Sequence, residues 1–533
     1  MKRNISVEMN ISGHLPDITY DYVQYKQPKK FYGRSFKIEN FKNQIIDKRN
    51  FCDKKRKILV EVLKDQNKNY QHINAYNDID LLLKKNSYTI TTGHQLSLFT
   101  GPLFFIYKII QVIKICDQLK NNYANYNFIP IFWMASEDHD FEEIKSFNLY
   151  EKTFSYDYNN KKYCTGKIKT LQMSSIHEEL KIFFEGKPNQ KALLDLFNKS
   201  YKKEKNLSSA TRSLVYQLFK DYNIIVLDPD DHRLKVNFKE LALDELKNFS
   251  SHKIVNNTIK KIKNSYNKKI KIQVNPRILN LFYITKSERY RIEYKDGDYI
   301  LIGKNKKFKK DEFINHIESN PDCISPNVIL RPLYQESILP NLAYVGGGSE
   351  ISYWLELKDL FNFYSLSFPI LAVRKSLLLI SKRDFEKIDR LNLKIQDFFL
   401  KKDQIVKKIL KSNDDYNFSL KNFLDSYSKN IDELKNEISA IDNSLVLSFD
   451  ALITRHKKEY NSLEKKVIKK IKLKNSQKLK SIDRIYNRIY PNNSPQERFL
   501  NFSHFYSIHG QKFIDFIFDV MQPFDSRLQV CEI

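Results

Sequence analysis

TITTGHQLSLFTGPLFFIYKIIQVIKICDQL, residues 89–119, begins as a β-rich segment, turns through Gly93 and Gly101, and continues with apolar positions at helical spacing. A strand, a loop and a helix follow one another without interruption. The next apolar run, NFIPIFWM at 127–134, has strand length and leads into ASEDHDFEEI, an acidic helix start. Two such units in succession predict an α/β, doubly wound core built on a parallel sheet. Further strands of the same sheet are expected at Ile224–Leu227, Val328–Leu330 and Ile370–Val373. The long stretches between them hold hairpin-like pieces such as LNLFYITKSERYRIEYKDGDYILIG (279–303), with a turn at Asp296 and Gly297.

The resulting domain plan has the first part of the core at 1–145, an insertion at 146–215, a core strand at 216–237, a second insertion at 238–325 and the last part of the core at 326–380. Beyond Pro369 no proline occurs until Pro491, and beyond Gly348 no glycine until Gly510. In that stretch Ile388, Leu391, Ile395, Phe398, Lys402, Ile405 and Ile409 step alternately by three and four, and so do Leu424, Tyr427, Ile431, Leu434, Ile438, Ile441 and Leu445. This is the seam of a coiled coil. Residues 381–482 are therefore read as an antiparallel helical hairpin joined by KSNDDYN (411–417), with 483–533 returning to the core. The second helix, running to about Leu479, is nearly twice as long as the first, and a homodimer formed through the excess is expected.

With 533 residues, two to four domains are expected, and 41% apolar and 13% aromatic residues suit folded cores. The formal charge of +27 raises the question of a nucleic-acid partner. Residues 381–480 carry 24 basic and 15 acidic side chains, so the charge is spread over the surface rather than gathered in a patch. Cys52, Cys116, Cys164, Cys323 and Cys531 show neither zinc nor disulfide spacing. The start of the chain lacks the apolar core of a signal peptide, and the most apolar run, 96–115, is broken by Lys108 and Lys114. A cytoplasmic protein without a membrane span is the reading.

Glycine is scarce, 12 in 533, so its clustering in the Gly93/Gly101 and Gly346/Gly347/Gly348 loops points to close approach of a ligand or to anion binding by backbone N–H groups ahead of a helix. Glu137, Asp138, His139 and Asp140 fall at the carboxyl end of a predicted strand, where open α/β sheets bind ligands. They could bind a substrate ammonium, hold Mg2+ or act as acid and base, with His139 titrating nearest neutrality. Helix capping by Asp140 is the plainer alternative. His94 and Gln95, Arg331 and Gln335, and Arg374 with Ser376 lie beyond other predicted strands, and together suggest recognition of a carboxylate or phosphate.

TTGHQLSLFTGPLFFIYK (91–108), IPIFWMASEDHDFEEI (129–144), ISPNVILRPLYQESILPNLAYVGGGSEISYW (324–354), FPILAVRKS (368–376) and PQERFLNF (495–502) together resemble the BshC family of bacillithiol biosynthesis, in order and over nearly the whole chain. The resemblance implies a Rossmann-like core with two connecting insertions, a coiled coil used for dimerisation, and a ligase that joins the carboxyl of cysteine to the amine of glucosaminyl malate. It implies a site lined by Gly93, His94, Gln95, Thr100, Gly101, Glu137, Asp138, His139, Asp140, Arg331, Gln335, Tyr344, Gly346, Gly347, Glu350 and Arg374. The family often reads TGQQ where this chain has Gly93-His94-Gln95, and GGPAE where it has Gly346 to Glu350. Amide formation from a carboxylate needs activation, so ATP or a related nucleotide is expected, with Mg2+ as its companion. No HIGH or KMSKS signature accompanies that expectation. The rival reading is a synthetase-like protein that binds nucleic acid without ligase activity.

Overall fold

Strand β1, Ser87–His94, buries nearly every side chain on both faces, as a strand does when helices cover both sides of a parallel sheet. In the computed structural model, which describes residues 3–9, 15–26, 29–71, 73–158, 163–202, 206–266, 270–304, 306–411 and 420–533, β1 is the middle strand of five. The others are β2 (Asn127–Met134), β3 (Ile225–Leu227), β4 (Asn341–Gly346) and β5 (Ile370–Val373). All neighbours pair in parallel, in the order β5-β4-β1-β2-β3. The order grows one way from β1 to β3 and the other way from β4 to β5, so it reverses between β1 and β4. Helix α1, Phe104–Asn122, connects β1 to β2 and buries most of its surface. Residues 1–379 and 494–531 form one compact unit, and 380–493 with 532–533 a second.

The expected strand at Val328–Leu330 is not one. Asn327 Oδ1 accepts the Ile329 N–H at 2.9 Å and the Asn327 carbonyl accepts from Arg331, which turns the chain into helix α2, Arg331–Ile338, with Pro332 in its first turn. Proline is suited to that place because its missing N–H is not needed there. The sheet strand is β4, starting thirteen residues later than expected, and its Asn341 accepts from Thr89 and Thr91 of β1 at 3.2 and 2.9 Å. Arg331 and Gln335 therefore sit on a helix that precedes a strand, not beyond one. Helix α3, Gly348–Glu356, follows β4 directly. The helix expected after the EDHD segment is a single turn, Phe141–Ile144.

Between β3 and β4 the chain forms an antiparallel sheet of Leu281–Ile284, Arg289–Lys295, Asp298–Leu301 and Lys306–Lys309, with Ile324–Pro326 at the other edge. Asp296 and Gly297 both have positive φ, 52° and 82°, the geometry of the tight two-residue hairpin read from the sequence.

The second unit departs from the expected pair of helices. The segment 388–409 is broken: Lys382–Arg390 ends at Asn392, whose φ is 54°, and the Leu393 N–H returns to the Ile388 carbonyl at 3.1 Å. That is a Schellman close with asparagine in the left-handed position usually given to glycine. A 3-10 turn, Ile395–Phe399, and a separate helix, Lys402–Lys411, follow. The segment 424–479 is broken too, into α4 (Leu420–Ile441), α5 (Leu445–Lys474) and a further helix, Ser476–Ile489. The hairpin turns at 442–444, where Asp442 Oδ1 accepts the Ser444 N–H at 2.8 Å. The antiparallel pair is α4 against α5, with Tyr427 and Tyr460 ring centroids 6.0 Å apart and Lys435 bonded to both oxygens of Asp450 at 2.7 Å. Most of the joint expected at 411–417 lies outside the described residues. No helix among the described residues is long and apolar enough to cross a membrane.

Candidate functional site

A cavity of about 740 Å3 opens at the carboxyl ends of β1, β2 and β4, at the place where the strand order reverses and doubly wound sheets bind ligands. Gly93 and His94 end β1, Ala135 to His139 extend β2, and Tyr344 and Glu350 bracket the end of β4; Asn275, Arg277, Phe282 and Arg289 close it from the second connection.

Its floor is organised by Glu350 on the first turn of α3. The carboxylate accepts the Gly347 N–H at 2.7 Å, the Tyr344 hydroxyl at 2.9 Å and the Lys108 ammonium at 2.5 Å. Burial opposes ionisation of Glu350, but Lys108 and the hydrogen bonds outweigh it and hold the carboxyl below its ordinary range. Lys108, on buried α1, also donates to the Gly93 carbonyl at 2.9 Å, so one ammonium ties the end of β1 to the start of α3. Burial pushes its pKa down and Glu350 pulls it back. The anion at the amino end of α3 is thus supplied by the chain itself. This corrects the expectation of a free N–H loop: Gly346, Gly347 and Gly348 all have negative φ, since none is among the positive-φ glycines. Packing explains two of them, because a Cβ on Gly348 would lie 2.8 Å from Pro16 and one on Gly346 3.0 Å from Tyr344.

The opposite wall is the EDHD segment. Glu137 is buried against the Lys235 ammonium, which also donates to the Ile324 carbonyl at 2.6 Å; burial raises the Glu137 pKa against the pull of Lys235. Asp138 accepts from Gln95 at 2.8 Å and from the His139 N–H at 2.7 Å, with the Arg289 guanidinium 3.6 Å away. Burial opposes its ionisation, yet these donors keep its pKa low. His139 is 38% exposed at the side chain, with Nδ1 3.7 Å from Asp138 and 3.3 Å from Arg289 Nη1. A guanidinium only donates, so Nδ1 carries the lone pair and Nε2 the proton. Burial and Arg289 together lower the His139 pKa, which favours the neutral ring. Arg289 itself stacks 3.9 Å over Phe282 and donates to the Pro326 carbonyl at 2.6 Å.

His94 has the reverse tautomer. Its Nδ1 lies 2.8 Å from the Gln95 carbonyl, which only accepts, so Nδ1 is protonated and Nε2 holds the lone pair. Burial and then Lys108 lower its pKa to about 4. Packed 5.3 Å from both Phe104 and Phe105, it is a neutral acceptor, as a glutamine amide oxygen would be.

Nine of the residues singled out in the sequence line this cavity: Gly93, His94, Gln95, Glu137, Asp138, His139, Arg331, Tyr344 and Glu350. The others are placed around it. Thr100 and Gly101 belong to a crossing with positive φ at 71° and 65°, clamped by Asn501, which donates to the Phe99 and Gly101 carbonyls at 2.7 and 2.6 Å. Gln335 is buried behind Arg331, accepting from its guanidinium at 3.0 Å. Arg374 is buried and paired with Glu497 at 2.7 Å, while Ser376 donates to the same carboxylate. Asp140 is exposed and does not line the cavity.

Lys108, Arg277, Arg289 and Lys235 were not singled out as site residues from the sequence. The signal for Lys108 was present, since a lysine on the apolar face of a buried helix requires an acceptor. Among the described residues, no group of three His, Cys, Asp or Glu side chains could hold a metal ion.

Residues 4–375 match the family described as "Bacillithiol biosynthesis BshC, N-terminal Rossmann-like domain", and residues 377–533 "Bacillithiol biosynthesis BshC, C-terminal coiled-coil domain". Three relatives carry the name "Putative cysteine ligase BshC". The one from Flavobacterium psychrophilum is 40% identical over 523 residues, covering 97% of both chains. That from Flavobacterium johnsoniae is 37% identical with 99% of both covered, and that from Christiangramia forsetii 36% with 97% of both.

Proposed function

The chain belongs to the BshC family of bacillithiol biosynthesis, and from that premise we propose that it is a ligase joining the carboxyl of L-cysteine to the amine of glucosaminyl malate, the last step of that biosynthesis. The observation that carries this reading is the placing of His139 beside Asp138 and Arg289 in the cavity at the carboxyl edge of the sheet, where burial and Arg289 lower its pKa. Amide formation needs an uncharged amine and a place for the proton that the amine loses as the C–N bond forms. His139 takes that proton at Nδ1, its unprotonated nitrogen, in exchange for the contact with Arg289, and Asp138, 3.7 Å from the same atom, offsets the charge that results. Its low basicity suits the task, since the N–H of the nascent adduct is more acidic than a free ammonium.

A nucleotide, ATP or a relative, would supply the activation of the carboxyl. The chain's part is to position and to stabilise. Arg331, lying 5.4 to 5.9 Å from the rings of Trp133, Tyr344 and Trp354, is a cation in a water-poor wall, where it would stabilise charge developing on the carbonyl oxygen. Glu350 and Lys108 neutralise each other and fix the ends of β1 and α3. In the test, purified protein is given cysteine, glucosaminyl malate and ATP, and small thiols are read by mass spectrometry. A product equal in mass to the two substrates less water is expected; no such product with any nucleoside triphosphate would overturn the reading.

Homodimerisation through the second unit is part of the proposal. Along α4 and α5 the residues Leu434, Ile441, Leu445 and Leu463 are 47 to 81% exposed, although their spacing is that of a packed seam. A second copy of the hairpin would cover them. All five cysteines are free thiols, which suits a reducing cytoplasm.

A further inference from the structure

The segment from Gln273 to Arg277 has neither helix nor strand, yet it is held at three points. The N–H groups of Gln273 and Val274 donate to the two oxygens of Glu356 at 3.0 and 3.2 Å. The Pro276 carbonyl faces His252 Nδ1 at 3.1 Å. The Arg277 N–H donates to Asn280 Oδ1 at 3.2 Å, and Asn280 is anchored in turn by buried Glu245 and Ser251. Burial alternates along it, with Val274 and Pro276 inside and Asn275 and Arg277 outside, as an extended chain dictates. The two outward residues line the cavity.

The cavity's other cations are committed: Lys108 to Glu350, Arg289 to the Pro326 carbonyl beside Asp138 and His139, and Arg331 to Gln335. Arg277 has no ion pair among the described residues, and its segment is fixed in advance. We infer that residues 273–277 are a specificity strap, in which Arg277 receives a carboxylate of the acceptor substrate. This rests on the proposed ligation, whose acceptor is an amino sugar bearing carboxylates. A guanidinium fork matches a carboxylate in two parallel hydrogen bonds, and a backbone pinned beforehand spares the ordering cost on binding. Glu356 is the positioning residue behind it.

Arg277 is exposed, so Arg277→Ala leaves the packing intact. Binding to the whole protein is measured by calorimetry for glucosaminyl malate and for methyl glucosaminide, which lacks the carboxylates. The unaltered chain is expected to prefer glucosaminyl malate by tenfold or more, on the order of one charged hydrogen-bonded contact, and Arg277→Ala to erase that preference while leaving methyl glucosaminide unaffected. In steady state the variant raises KM for glucosaminyl malate with kcat and the KM values for cysteine and ATP unchanged. Glu356→Ala, if folded, gives the same selective rise. Equal binding of the two sugars by the unaltered chain, an unchanged preference in Arg277→Ala, or a rise in the ATP KM instead would overturn the strap. A chain that prefers glucosaminyl malate but makes no product would sink the ligase reading and leave the strap standing.

Discussion

Replacing Glu350 by Gln should destabilise the first unit by about 2–3 kcal/mol. Breaking a buried ion pair by removing one partner costs about 3–5 kcal/mol, because the remaining charge is left without compensation. Two features of the pair with Lys108 reduce that figure. The Glu350 side chain is 28% exposed, so its charge is partly screened, and Lys108, at 4%, keeps the Gly93 carbonyl as one acceptor. The amide oxygen of glutamine also retains one of the three donors that meet the carboxylate. Adding Lys108→Met removes the orphaned ammonium and should restore about half of the loss, so the two changes are strongly non-additive. The assay is urea unfolding followed by tryptophan fluorescence. Trp133 and Trp354 are the chain's two tryptophans, both fully buried and both in the first unit, so the signal reports that unit alone. The sign with pH follows from the low Glu350 pKa: the pair's stabilisation is present at neutral pH and fades as pH falls below the usual glutamate range through the folded value. Glu350→Gln should abolish that acid-side slope. A variant within about 0.5 kcal/mol of the unaltered chain, or a double variant with simply additive losses, would refute the reasoning.

The α/β core was legible because β1 is β-rich and leads through two glycines into a helix of apolar periodicity, and β2 is an apolar run of strand length. The β4 strand was overlooked because VILRP (328–332) is as β-rich as NLAYV (341–345), and only the turn made by Asn327 and the place of Pro332 separate them. In the second unit the heptad steps run unbroken through Asn392 and through 442–444, with no proline or glycine to mark either break. Asparagine in the left-handed conformation and an aspartate accepting a nearby N–H end those helices, and both residues are equally at home on a helix surface. The seam was therefore right in period and wrong in pairing: α4 packs on α5.

The site was legible where chemistry and strand ends coincide, as at Glu137 to His139, and not where it is borrowed from remote segments. Arg289 and Arg277 lie 150 and 138 residues beyond His139, in a connection that reads as ordinary hairpin and coil. The glycine triplet shows the converse. Its rarity in this chain drew attention to a loop beside the cavity, but space beside Pro16 and Tyr344 accounts for Gly348 and Gly346, and the anion at the helix start is Glu350.

Glu356 is a buried carboxyl whose pKa burial raises to about 7 against its two N–H donors. Since it favours protonation in the fold, its contribution to stability is full below about pH 4.5 and is lost as pH rises through 7, by about 3 kcal/mol. Urea titrations at pH 5 and pH 8 should show that loss in the unaltered chain and not in Glu356→Gln; parallel curves would dismiss it. Leu434→Glu with Leu452→Glu, on the exposed seam near the Lys435–Asp450 pair, should halve the mass seen by light scattering, and an unchanged dimer would place the interface elsewhere. The two histidines should separate cleanly. His139→Ala should remove most product formation with Tm within a few degrees, because a 38% exposed ring carries little packing. His94→Gln should keep most of it, because an amide oxygen replaces the Nε2 acceptor and no proton is asked of a ring whose pKa is about 4. If activity instead survives His139→Ala and fails in His94→Gln, the proton acceptor has been assigned to the wrong end of the cavity.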